Sequence, residues 1–204
     1  QFVKNLLRLK FRSATQQKEI QMASLFAKQL RRLGACPGAI EWVGDREFDK
    51  AWTSCENICW MFWLAKKLRV DPKLLVQIAC RCARLVLHLV PKGEERPREA
   101  IEAAEGWLEG KVSVEEVQVV NDAAWAAIQA VKVDAWAARA AAWATEVATM
   151  AGTSTTWATT WAVWDACVAY ASKAARVTNN SQILNIIRDV MTEPVREKLT
   201  ALEV

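Results

Sequence analysis

The chain has 204 residues, 52% hydrophobic and 25% charged, with a formal net charge of +4, which suits one domain with an appendage. Its longest uninterrupted apolar run, Ile58–Ala65, is too short to span a bilayer. The N-terminal QFVKNLLRLKFRSATQQKE is studded with Lys and Arg and has no apolar signal core. These features predict a soluble, cytoplasmic protein with no membrane association, whose six cysteines stay thiols. Seven glycines, five prolines and abundant alanine, with no strand-like alternation, predict an all-α fold: a multi-helix bundle of stacked helical hairpins and no sheet.

Residues 1–34 carry eight basic side chains against one acid, Glu19, so this segment is +7 and the remainder −3. We read it as a basic N-terminal helical arm that Gly34 ends, ahead of an alanine- and tryptophan-rich helical domain over 35–204. Lys4, Arg8, Lys10, Arg12, Arg31 and Arg32 are its candidates for nucleic-acid phosphates. The alternative is a solvated helix face, with Leu25, Phe26, Leu30 and Leu33 packing beneath it.

Cys36-Pro37-Gly38 reads as a turn before a short helix over 39–43. Asp45 is placed to cap a helix holding Phe48, Ala51, Trp52 and Cys55. Unbroken, that helix would put Glu56 on its apolar face, so a break falls at Glu56-Asn57, with Asn57 capping a helix over 58–68. This helix is apolar all round for two turns, the pattern of an element buried on every side. In WTSCENICWMFW (52–63) we therefore assign Trp52, Cys55, Cys59, Trp60 and Trp63 to the core, with Trp63 as an anchor. Lys66, Lys67 and Arg69 suit the negative C-terminal end.

Asp71-Pro72 opens a helix to about Leu89, closed by Pro91-Lys92-Gly93. Pro97 opens another that ends at Gly110, and Ser113-Val114-Glu115-Glu116 is a capping box. The alanine-dense stretch to about Lys173 holds Trp125, Trp143 and Trp161 at intervals of 18 residues. One helix over 114–151 would be about 57 Å long, so breaks belong near Val133-Asp134 and at Gly152-Thr153-Ser154. Trp157, Trp161 and Trp164 form a stripe that serves either as a helix seam or as a partner-binding surface. Asn179-Asn180-Ser181 starts a last helix, Gln182–Met191, before Pro194 and a polar tail.

No constellation for catalysis, metal or cofactor stands out. A structural zinc takes about four ligands; Cys36, Cys55, Cys59 and His88 lack a C-x-x-C spacing, and Cys80 and Cys82 point apart on a helix. His88, the one histidine, lies near a helix end, where its charge meets the negative terminus. Glu41, Asp45, Glu47 and Asp49 cluster in a connection that acids favour. No G-x-S-x-G, H-E-x-x-H or P-loop motif occurs. The expectation is no catalytic residue, no metal and no cofactor.

CPGAIEWV (36–43), AWTSCENICWMFWLAKKL (51–68) and RPREAIEAAEGWLEG (96–110), followed by alanine-rich helices with regular aromatics, resemble a bacterial and phage-borne family labelled as immunity proteins. The resemblance covers roughly residues 35–190 and leaves the basic arm outside. It implies an intracellular helical protein that neutralises a toxin, or another conflict-system protein, by binding it without catalysis. The alternatives are a nucleic-acid-binding or regulatory protein using the arm, and a structural oligomer subunit.

Overall fold

The computed structural model describes residues 24–130, 136–149 and 176–202. Their regular elements are all helical: α1 Leu25–Leu33, α2 Pro37–Val43, α3 Phe48–Ser54, α4 Ile58–Lys67, α5 Pro72–Val86 with a 3-10 turn Leu87–Leu89, α6 Arg96–Leu108, α7 Val114–Ala130, α8 Trp136–Thr149 and α9 Arg176–Thr200. The fold is all-α. Two compact units form: one runs to Cys55 and takes in the chain from Leu199, the other is Glu56–Lys198. The WTSCENICWMFW stretch is thus divided between them.

In the first unit, the Ser24 hydroxyl accepts the Ala27 N–H at 3.1 Å, starting α1, and donates to the Arg46 carbonyl at 2.8 Å. Phe26 meets Phe48 edge-on at 5.4 Å, and Phe48 lies 5.5 Å from Trp52. The buried side of α1 is Phe26, Ala27, Gln29 and Leu30. Leu25 is 48% exposed, unlike the face expected from spacing, because it stands roughly 100° round the helix from Phe26. The Gln29 amide, itself buried, donates to the Leu199 carbonyl at 2.9 Å, a bond that satisfies both polar groups. Gly34 ends α1 at φ +80°. Asp45 does not cap α3: it sits in the turn after α2, and Glu47 occupies the N-cap position.

In the second unit, α8 is the central helix, packed by α5, α6 and α7. Ala140, Ala141, Ala142, Ala144 and Ala148 are buried. Three consecutive buried positions require neighbours on several sides, and alanine permits such close approach. Ala100 of α6, Ala124 of α7 and Ala142 share one cluster, with Val120 and Trp125 against it. Trp125 and Trp143 meet edge-on at 5.2 Å, so the 18-residue interval places two rings on facing helices. Trp161 and both expected breaks lie outside the described residues.

Local signals fix the ends of these helices. Asn57 caps α4 by accepting the Trp60 N–H, and Asp71 caps α5 by accepting the Lys73 N–H. Ser113 and Glu116 exchange both capping-box bonds, and these hold the Glu116 carboxyl below its ordinary range. Arg84 of α5 pairs bidentately with Glu105 of α6, and Arg81 pairs with Asp189 of α9 at 2.5 Å. Both pairs are partly exposed, so each contributes about 1 kcal/mol at most.

The last helix differs most from expectation: α9 continues through Pro194 to Thr200. Proline removes one ladder bond and crowds the preceding turn, and Thr192 Oγ1 turns back to the Arg188 carbonyl at 2.5 Å. Ile183, Ile187, Met191, Val195 and Leu199 are buried at four-residue intervals across the proline. Burial of that stripe outweighs the lost bond.

Gly106 marks the tightest backbone approach in α6. A Cβ there would lie 2.6 Å from Val112 Cγ2, a short, stiff side chain. The helix ends just beyond, with the Lys111 N–H on the Gly106 carbonyl at 2.8 Å and Gly110 at φ +72°. Gly106→Ala is expected to lower stability by about 1 kcal/mol, the clash exceeding the gain in helix propensity. In a Val112→Ala background the same change should raise stability by about 1 kcal/mol. A denaturant double-mutant cycle reads this reversal, and additivity would refute the contact.

Candidate functional site

The structure divides the sequence-predicted core residues. Trp52 and Cys55 are buried at 3% and 5% exposure, whereas Cys59 is exposed and Trp60 and Trp63 are only half-buried. The expectation that α4 is buried on every side is therefore corrected. Its buried arc is Met61, Phe62, Leu64 and Ala65, continued by Leu68. At roughly 100° per residue, Cys59, Trp60, Trp63, Lys66 and Lys67 fall together on the opposite arc. The signal was present in the sequence: the two lysines must reach water, and they share their side with both tryptophans.

This outward face is cationic as well as aromatic. Lys67 Nζ lies 5.7 Å from the centre of the Trp63 ring, a cation–π distance. Arg69 follows directly, exposed and at φ +53°. Its N–H bonds the Lys66 carbonyl at 3.1 Å, and the Val70 N–H bonds the Ala65 carbonyl at 3.0 Å, which closes the helix. Among the described residues no carboxylate pairs with Lys66, Lys67 or Arg69.

The acidic surface of α6 and α7 is different. Glu94 pairs with Arg96, Glu95 with Arg98 at 3.0 Å, and Glu109 with Lys111 at 2.6 Å. The Arg96 guanidinium holds the Glu94 carboxyl below its ordinary range. Glu105 is taken by Arg84, whose own proton it holds more tightly. Val119, 69% exposed, stands on the outer side of α7. Much of this surface is neutralised within itself.

The remaining candidates separate as follows. Arg31 and Arg32 are exposed in the last turn of α1. Lys4, Arg8, Lys10 and Arg12 lie outside the described residues, as do Trp157, Trp161 and Trp164. His88 is exposed on the 3-10 turn after α5. Glu41, Asp45, Glu47 and Asp49 are all exposed. Among the described residues no three His, Cys, Asp or Glu side chains gather as a metal would require, and no helix is long and apolar enough to cross a membrane.

The family model described as Imm-5 like putative immunity protein matches residues 69–193, more than half of the chain. The chain belongs to this family. The match opens at Arg69 and takes in α5 to α8 and most of α9, so the alanine-packed bundle is the family's region. RPREAIEAAEGWLEG lies within it, while CPGAIEWV and AWTSCENICWMFWLAKKL lie ahead of it. No curated protein and no solved structure matches the chain.

The thiols sort by burial. Cys55, Cys80 and Cys82 are buried, and Cys36 and Cys59 are exposed. Burial pushes the Cys80 thiol up to about 12, with Glu105 adding to the rise and Arg84 opposing it. Maleimide with peptide mapping should label Cys36 and Cys59 of the native chain, and Cys55, Cys80 and Cys82 only after denaturation. The raised Cys80 value contributes stability that is complete below the ordinary value of 9.0 and lost as pH rises towards about 12. Cys80→Ala should flatten that part of the alkaline stability profile; an unchanged profile would mean that the thiol ionises freely.

Proposed function

We propose that the chain is a non-enzymatic binding protein of bacterial or phage conflict systems that sequesters a protein partner, such as a toxin. The family match over residues 69–193 carries this reading. Its physical support is the helical bundle of the second unit, whose interior is spent on alanine packing, which leaves outer faces to recognise a partner. Sequestration needs a stable complementary surface and no reacting group. The residues to test for contact include Trp157, Trp161 and Trp164, as an aromatic stripe, and the arm residues Arg31 and Arg32.

The test is affinity capture from the native host, identified by mass spectrometry, with and without residues 1–23 of the arm, which leaves the packed α1 in place. Reconstitution from the purified components follows. A stoichiometric protein complex that survives gel filtration and withholds the partner's activity is expected. Retention on DNA irrespective of sequence, falling with salt at a log–log slope near −0.9 per phosphate contact and lost with that part of the arm, would replace this reading with nucleic-acid binding.

A further inference from the structure

The outward face of α4 is not explained by the core. Cys59, Trp60, Trp63, Lys66 and Lys67 occupy one arc over two turns, and Arg69 continues the positive charge. The favourable C-terminal end of the helix accounts for cations at 66 and 67. It does not account for the Trp63 indole on the same arc, nor for the residue at 69. The left-handed position that closes a helix is filled by glycine at Gly34 and Gly110, with φ of +80° and +72°. At the end of α4 it is filled by arginine, the one non-glycine residue at positive φ among those described. A long cation stands where a glycine would relieve strain, and such strain persists where a side chain is needed.

From this we infer that the outward face of α4, with Arg69, docks an acidic protein segment, one that lays an apolar strip against Trp60 and Trp63 and carboxylates against Lys66, Lys67 and Arg69. The inference rests on the reading of the chain as a sequestering protein and supplies its partner's chemistry. Charge complementarity sets the sign, since these three cations have no carboxylate among the described residues. Cys59, Trp63, Lys66 and Lys67 follow the helical repeat of α4, so they form one continuous strip. A protein is favoured over nucleic acid because stacking a base needs a ring that stands clear of its surroundings, whereas both indoles are half-buried and offer edges to an apolar strip. Half-buried indoles flanked by cations also need less ordering on binding than free side chains do.

The probe is a fluorescein-labelled amphipathic helical peptide of about 20 residues, with leucines on one face and glutamates beside them. The controls are the same peptide with lysine for glutamate and a single-stranded oligonucleotide of matching length. The full chain is used throughout. The acidic peptide should bind more tightly than both controls, lose affinity with salt, and slow maleimide labelling of Cys59 while leaving Cys36 unchanged. Lys66→Glu should weaken binding about tenfold. Arg69→Gly should also weaken it, while raising the melting temperature by about 2–4 °C, so a loss of binding there cannot be unfolding. Equal binding of the basic peptide, an unchanged labelling rate at Cys59, or full affinity in Arg69→Gly would overturn the assignment. Preference for the oligonucleotide would overturn the protein occupant. A captured native partner whose affinity ignores Lys66→Glu and Arg69→Gly would remove this face and leave the sequestration reading intact. Capture of no protein partner would remove that reading whatever the peptide does.

Discussion

The second unit depends on how closely α5, α6 and α7 approach α8. Ala140, Ala141 and Ala142 are all at 0% exposure, so that helix is enclosed over most of that turn, with Arg139 and Trp143 half-buried on the remaining side. A larger residue at any of the three would push a neighbouring helix outward, since a close-packed interior has no spare volume. Gly106 extends the constraint to the end of α6, where Val112 closes over the backbone. The short connection between α6 and α7 can then fold back, and Ser113 and Glu116 start the next helix at once.

The tryptophans complement the alanines. Trp52 is buried, but Trp42, Trp60, Trp63, Trp107, Trp125 and Trp143 are half-buried. An indole is too large to fit between backbones that alanine has drawn together, so it settles at the margins, where one edge stays near water. Cations gather there: Arg46 stands 4.3 Å from the Trp42 ring, Lys67 and Lys73 each 5.7 Å from Trp63 and Trp107. In each unit, half-buried tryptophans thus stand beside cations.

Much of the fold was legible in the sequence, because end signals act locally. Asn57, Asp71, Ser113 and Glu116 cap the helices expected of them, since a side chain two or three residues from an unsatisfied N–H needs no tertiary partner. Gly34 and Gly110 close helices because only glycine takes a left-handed φ without cost. The 18-residue tryptophan interval forecast interlocking rings, and Trp125 and Trp143 meet. The candidate site was far less legible. Composition marked α4 as apolar all round, yet its lysines already showed which side faces water.

By itself, then, the sequence determined helix content, most helix starts and the small-residue character of the interior, all of which follow from short-range sterics and hydrogen bonding. Only the tertiary structure decided which helix is enclosed. That role falls to α8, whose alanines let three neighbours close in, and not to α4, whose tryptophans share an arc with lysines. Tertiary packing also carried α9 through Pro194, because a buried stripe from Ile183 to Leu199 outweighs one missing bond. Local chemistry sets where helices begin and end; burial, which sums over distant residues, sets which faces are left for a partner.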